Sequence, residues 1–277
     1  MLNMLEVADI VRRALEEDLG AGDISSAYLF GPEDRGRAEI VARQEGILAG
    51  LPAVELTFRL APPGCTLIPL AREGSRIEAG QAVARVEGPL LAILGGERVA
   101  LNFLQRLSGI ATLTARYVER VKPYKARICD TRKTAPGLRL LDKYAVRLGG
   151  GVNHRWNLGD AVLLKDNHLK AAGGIIPAVE KVRRHIPLTT KIEVEVENLE
   201  QVAEALEAKV DIIMLDNMSL SDMRRAVALI DGKALVEASG GITLERVAEV
   251  AATGVDFISV GALTHSPPAL DFSLELL

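Results

Sequence analysis

Residues 191–261 read KIEVEVENLEQVAEALEAKVDIIMLDNMSLSDMRRAVALIDGKALVEASGGITLERVAEVAATGVDFISVG. Four strand-like runs, 191–197, 210–216, 234–239 and 256–261, alternate with helical patterns over 199–208, 221–229 and 244–252. Upstream, 127–132 and 161–165 add two more such runs, and a helical pattern over 175–184 precedes the third. Repeated alternation of strand and helix implies a parallel sheet with right-handed crossovers. The later runs recur at near-equal intervals, which favours a barrel over an open doubly wound sheet. Six strands are fewer than the eight of a full βα barrel, so the expected architecture is an incomplete barrel, closed by another element.

Before this region the chain changes character. A helical stretch over 96–121 carries apolar residues at Val99, Leu101, Phe103, Leu104, Leu107, Ile110 and Leu113, with Ser108-Gly109 as a candidate kink. Short strand-like runs, 38–43, 46–49, 66–71 and 81–87, come earlier, separated by turns such as Pro62-Pro63-Gly64 and Ala79-Gly80. Their shape is like that of biotinyl or lipoyl carriers, but no lysine occurs between Met1 and Val121 to carry a cofactor. The expected division is an α/β domain over 1–112, including the start of the linking helix, and a barrel domain over 113–277. The C-terminal tail of the second is free to pack back on the first.

The 277 residues, 48% hydrophobic and 25% charged, suit an ordinary globular protein. A net charge of −4 argues against nucleic acid or an anionic membrane as partner. The first twenty residues carry acids throughout and read as an amphipathic helix, not a signal peptide, and no run is long enough to span a membrane. Cys65 and Cys129 make no disulfide framework. A cytoplasmic location is expected.

Reactive groups of a parallel barrel stand at the carboxyl ends of its strands. Here those ends bring Asp130-Thr131-Arg132-Lys133, Lys165-Asp166-Asn167-His168, Asp216-Asn217, Glu237-Ala238-Ser239-Gly240-Gly241 and Gly261 to one rim. In the third run, side chains alternate between faces. Val194 and Val196 should meet helices, which turns Glu193, Glu195 and Glu197 toward the barrel axis. Buried carboxylates need partners; Arg132, Lys133 and Lys165 are candidates, and Glu193 is as well suited to a purely structural pairing. Glu195 and Asp216, nearer the rim, are better placed to meet a ligand. Ser239-Gly240-Gly241 with Gly261 suggests backbone amides cradling a phosphate, although glycine also ends strands for simple turn reasons. A single arginine is ordinarily a solvated surface residue. Arg132, Lys133, His154, Arg155 and Lys165 together, facing two acids, describe a ligand with several negative charges and a polyol.

Further motifs join these: Glu17-Asp18-Leu19-Gly20, Glu97-Arg98, Leu107-Ser108-Gly109-Ile110-Ala111-Thr112, the run Asp130 to Arg139, Lys143-Tyr144-Ala145 and Gly149-Gly150-Gly151-Val152-Asn153-His154-Arg155. Over nearly its whole length the sequence resembles the quinolinate phosphoribosyltransferases. The resemblance implies an α/β fold, with an incomplete six-stranded βα barrel after an α/β N-terminal domain. It implies transfer of phosphoribose from phosphoribosyl pyrophosphate (PRPP) to quinolinate with decarboxylation, giving nicotinate mononucleotide, pyrophosphate and CO2 in NAD biosynthesis. Quinolinate would be held by Arg132, His154, Arg155 and Lys165, with Arg98 of the partner subunit. PRPP would meet Lys133, Glu195 and Asp216, with its 5′-phosphate at Ser239, Gly240 and Gly261. Mg2+ bound with PRPP would reach Glu195 and Asp216, directly or through water. Lys133, Lys165, Glu195 and Asp216 would be the catalytic set, in a homodimer with shared sites or a higher oligomer.

Three other readings compete. A Schiff-base lyase would use Lys165 as nucleophile. A relative acting on another heteroaromatic base would not need all of Arg132, Arg155 and Lys165. A phosphate-ligand sensor on a barrel scaffold is compatible with fold alone.

Overall fold

The computed structural model describes residues 2–277. Contacts divide the chain into two compact units, and they are not two successive halves. The first unit takes residues up to Ala115, Thr134–Gly150 and Ala262–Leu277; the second takes Arg116–Lys133 and Gly151–Gly261.

Along the chain run α1 (Met4–Leu19), α2 (Ile24–Leu29), β1 (Arg35–Ala42), β2 (Gly46–Ile47), α3 (Leu51–Leu60), β3 (Thr66–Pro69), β4 (Arg76–Ile77), β5 (Ala82–Pro89) and α4 (Leu90–Val121). Then come β6 (Arg127–Cys129), α5 (Arg139–Leu148), β7 (Val162–Leu164), α6 (Asp166–Ala172), α7 (Ile175–Arg183), β8 (Ile192–Val196) and α8 (Leu199–Glu207). The remainder is β9 (Ile212–Asp216), α9 (Leu220–Ile230), β10 (Leu235–Ser239), α10 (Val247–Ala251), β11 (Phe257–Ser259), α11 (Ala262–His265) and β12 (Phe272–Leu276).

In the first unit an antiparallel sheet of order β12-β1-β5-β3 packs its apolar face, Ile40, Val86 and Phe272 among them, against Phe58 of α3 and Leu104 of α4. Full burial of a side chain such as Phe58 contributes about 1.5–3 kcal/mol. The start of α3 is fixed from a distance. Glu73 accepts the N–H groups of Gly50 at 2.7 Å and Leu51 at 3.1 Å, and Tyr144 donates its hydroxyl to the same carboxylate at 3.0 Å. Ser108-Gly109 does not break the helix, for α4 continues through both residues. These two residues serve close packing instead. Ser108 Oγ exchanges hydrogen bonds with the backbone of Ala49 at 3.0 and 3.1 Å, and a Cβ on Gly109 would collide with the carbonyl of Pro268.

In the second unit all strand pairs are parallel, in the order β6-β11-β10-β9-β8-β7. The first strand thus lies beside the last, and no ladder joins β6 to β7 among the described residues. Residues 151–153 run along the open edge of β6 instead: Val152 donates to Ile128 O at 2.9 Å and accepts from Asp130 N–H at 3.2 Å. Residues from the ends of all six strands line one cavity, so the sheet curls into the expected incomplete barrel. Alternation in β8 works as expected, with Val194 and Val196 fully buried beneath the helices. The strands are shorter than the apolar runs suggested. β6 stops at Cys129, because Asp130 leaves the ladder to bind the next loop.

Candidate active site

The carboxyl ends of the barrel strands surround a cavity of about 530 Å³. Thr131, Arg132 and Lys133 enter it from beyond β6, Lys165 from the end of β7, Glu195 from β8, Asp216 from β9, and Ser239, Gly240 and Gly241 from β10. Asp130, fully buried, organises the far wall. Its carboxylate accepts from Asn153 Nδ2 at 2.6 Å and from His154 N–H at 2.9 Å, which fixes the loop carrying Arg155. Arg155 in turn donates to the carbonyl of Ala161 at 2.9 Å. Burial, and then the charge of neighbouring Arg132, push the Arg155 pKa below its ordinary value. Two guanidinium groups crowded into one wall call for an anion between them.

Across the ring, Glu195 pairs with Lys165 at 3.3 Å. Asp216 accepts from Asn217 Nδ2 at 2.7 Å. Asn217 adopts the left-handed conformation, φ 53°, and its amide side chain fills the space where a Cβ on Gly240 would stand. Gly240 itself has φ 89°. The Asp216-Asn217 and Ser239-Gly240 segments are therefore shaped to each other, and only glycine fits that side of the contact.

Beneath the cations lies a cluster that the sequence did not reveal. His154 Nε2 stands 3.1 Å from Glu193 and 3.5 Å from Glu237, both almost fully buried. Burial pulls the imidazole pKa down, but hydrogen bonds to the two glutamates and their charge push it up to about 10. Burial also raises the Glu193 pKa, and the charge of Glu237 adds to this. An imidazolium would carry protons on both ring nitrogens, yet Nδ1 accepts the Arg155 N–H at 2.8 Å. The geometry decides the location: the cluster keeps its extra proton on the side of Nε2 and the two carboxyl groups. His154, Glu193 and Glu237 also present one ligand atom each within 4.8 Å of one another.

Of the residues singled out in the sequence, Arg132, Lys133, His154, Arg155, Lys165, Glu195, Asp216, Ser239 and Gly240 all line this cavity. Gly261 follows β11 and does not line it; Ser259 of that strand does. Arg98 lies on α4, in the first unit. The partner of Glu193 is His154 rather than Arg132, Lys133 or Lys165, because the Asp130-anchored loop brings the imidazole inside the barrel. Schiff-base chemistry needs a desolvated amine without a counter-charge. Lys165 is half exposed and paired with Glu195, which weighs against that reading.

Family models for the N-terminal and C-terminal domains of quinolinate phosphoribosyl transferase match residues 23–108 and 110–275. The chain is 48% identical to a Synechocystis sp. protein named "Probable nicotinate-nucleotide pyrophosphorylase (carboxylating)", over 95% of this chain and 90% of that one. A Bacillus subtilis protein of the same name is 44% identical, over 99% and 95% of the two chains. The solved structure of the nicotinate-nucleotide pyrophosphorylase from Francisella tularensis superposes with a TM-score of 0.95 at 40% identity, covering 100% of this chain and 98% of that one. The chain belongs to the quinolinate phosphoribosyltransferase family.

Proposed function

We propose that this mouth holds quinolinate and PRPP side by side, so that the pyridine nitrogen displaces pyrophosphate from the ribose. Phosphoribosyl transfer to quinolinate with decarboxylation, in NAD biosynthesis, is the activity of the family. The observation that carries the assignment is the crowding of Arg132 and Arg155 in one wall, with Lys133 and Lys165 beside them and Glu195 and Asp216 across the cavity.

The division of labour follows from charge. Arg132, Arg155 and Lys165 bind the two carboxylates of the pyridine, with His154 behind them and Arg98 of the partner subunit completing the pocket in a homodimer. Each charge-assisted hydrogen bond is worth about 1.5–3 kcal/mol. As pyrophosphate departs, positive charge grows on the ribose. Fixed carboxylates at Glu195 and Asp216 stabilise it without having to reorganise, and both can hold ribose hydroxyls. Lys133 holds the leaving phosphates. Backbone amides at Ser239 and Gly240, which line the cavity, receive the 5′-phosphate. Glu195 and Asp216 offer the hard oxygen ligands that Mg2+ prefers. Bound with PRPP, the ion would neutralise charge on the leaving pyrophosphate.

Among the described residues no helix is long and apolar enough to cross a membrane. Neither Cys65 nor Cys129 is in a disulfide, which agrees with the reducing cytoplasm as the place of action. Purified protein given quinolinate, PRPP and Mg2+ should release pyrophosphate and CO2 in equal amounts. Absence of quinolinate-dependent pyrophosphate release would refute the assignment. Covalent trapping of a carbonyl substrate on Lys165 by borohydride would replace it with the lyase.

A further inference from the structure

Where the barrel lacks a strand ladder, between β6 and β7, one side chain carries the attachment across. The main chain makes the first part of the link. Val152 N–H donates to Ile128 O at 2.9 Å, and Asp130 N–H donates to Val152 O at 3.2 Å. Beyond that point the Asp130 carboxylate takes over. Its two oxygens accept from Asn153 Nδ2 at 2.6 Å and from His154 N–H at 2.9 Å.

Asp130 is fully buried and does not line the substrate cavity, so whatever it does there it does through other residues. Its neighbours in the chain are informative. Arg132 follows Asp130 by two residues, and Arg155 follows the two donors, Asn153 and His154. Both arginines line the cavity, close enough that the charge of Arg132 bears on Arg155. Within its own loop Arg155 is held twice more. Its N–H donates to His154 Nδ1 at 2.8 Å, and its Nη1 donates to Ala161 O at 2.9 Å. Those two bonds fix the side chain relative to the loop, but they do not fix the loop relative to β6. The Asp130 carboxylate does, because it extends from the strand end that leads to Arg132.

We propose, resting on the function assigned above, that Asp130 is a positioning residue that sets the span between Arg132 and Arg155, and that this span selects a pyridine with carboxylates on adjacent ring carbons. Quinolinate has that arrangement. Guanidinium–carboxylate bonds are directional and often paired, so two arginines at a fixed separation favour one spacing of carboxylates over another. With the link broken, both cations remain in the cavity but their separation is no longer held. Binding of the matched ligand then weakens, while a ligand with differently spaced carboxylates loses less. Specificity is a difference of affinities, and here the difference originates in a carboxylate that touches neither ligand.

The test compares wild type with Asp130→Asn, which keeps size but offers one acceptor oxygen where two donors converge. The KM for quinolinate should rise by about 10-fold or more, the scale of one hydrogen bond to a charged group, and the KM for PRPP should hardly move. Inhibition by pyridine-2,4-dicarboxylate gives the second readout. Wild type should favour quinolinate over this isomer, and the variant should narrow that preference by about 10-fold. A merely structural Asp130 would leave the preference alone. Equal rises in both KM values, or an unchanged preference, would overturn the inference. Should Asp130→Asn fail to fold, Asn153→Ala decides instead, since it removes one donor and leaves the strand intact. A raised KM for quinolinate with a narrowed preference supports the inference, and wild-type values for both overturn it. Wild-type protein inert toward quinolinate would sink the functional assignment itself, whereas active wild type with an unchanged preference in the variants would sink only the role of Asp130.

Discussion

The barrel is hollow at both ends of its sheet, and the larger hollow is not the one to which we assign the reaction. At the amino ends, Lys125, Lys191, Lys209 and Lys233 stand around about 700 Å³ together with Asp211 and Asp256. There the acids are engaged with backbone. Asp256 accepts from Val236 N–H at 2.9 Å and from Lys125 Nζ at 2.7 Å, and Asp211 accepts from Ile192 N–H at 2.8 Å. Each ties down the first residues of a strand, where backbone amides would otherwise lack partners. At the carboxyl ends Arg132 and Arg155 crowd each other, and Glu195 and Asp216 face the void. Neither volume nor lysine content separates the two ends. What separates them is what the acids hold: strand backbone at the amino ends, side chains of the cavity wall at the carboxyl ends.

Substitutions at the two ends should sharpen that contrast, the mouth giving the larger effects. Glu195→Gln should lower kcat by about 100- to 1,000-fold, the usual cost of removing one electrostatic stabiliser, with thermal stability preserved. Arg155→Ala should raise the KM for quinolinate by about 10- to 100-fold, as loss of one charge-assisted hydrogen bond implies. The KM for PRPP should hardly move, and equal effects on both would refute the assignment of Arg155. Arg98→Ala and Lys165→Ala proteins, each nearly inactive, should recover about a quarter of wild-type activity when mixed as equal parts of a dimer with shared sites. No recovery in verified heterodimers counts against sharing.

The buried cluster makes a further contribution through pH. Glu193 and Glu237 push the pKa of His154 up to about 10, from the ordinary imidazole value of 6.5. The proton that His154 shares with the two glutamates therefore adds stability that is fully present below pH 6.5 and is lost as pH rises through 10. Thermal unfolding across that window should show the decline, and His154→Gln should flatten it. Smallest of all, Asp256→Ala at the amino end should cost about 1 kcal/mol of stability, the scale of one hydrogen bond, while kcat/KM stays near wild type.

The barrel was legible because each of its later strands carries aliphatic residues that are buried under helices: β8 to β11 fall within a residue or two of the expected runs. Elements stabilised from afar were not. α5 buries Asp142 and Lys143 along with Leu141 and Val146, so its buried face is partly charged. Asp142 is matched instead by Arg106, through paired bonds of 2.9 and 2.8 Å. The start of α3 depends on Glu73, read only as part of a turn, and β12 exists through its pairing with β1 at the other end of the chain. The site shows the same divide. Cations and acids at strand ends could be gathered by counting along each strand, but the contact of Glu237 with His154 could not, for the imidazole reaches it from a loop held by Asp130.

Calorimetric binding of quinolinate to Arg155→Ala, at the mouth, and to Lys233→Ala, at the amino-end hollow, tests most directly where the ligand chemistry resides. Affinity should fall steeply in the first and equal that of wild type in the second. Unchanged binding in Arg155→Ala together with weakened binding in Lys233→Ala would contradict it.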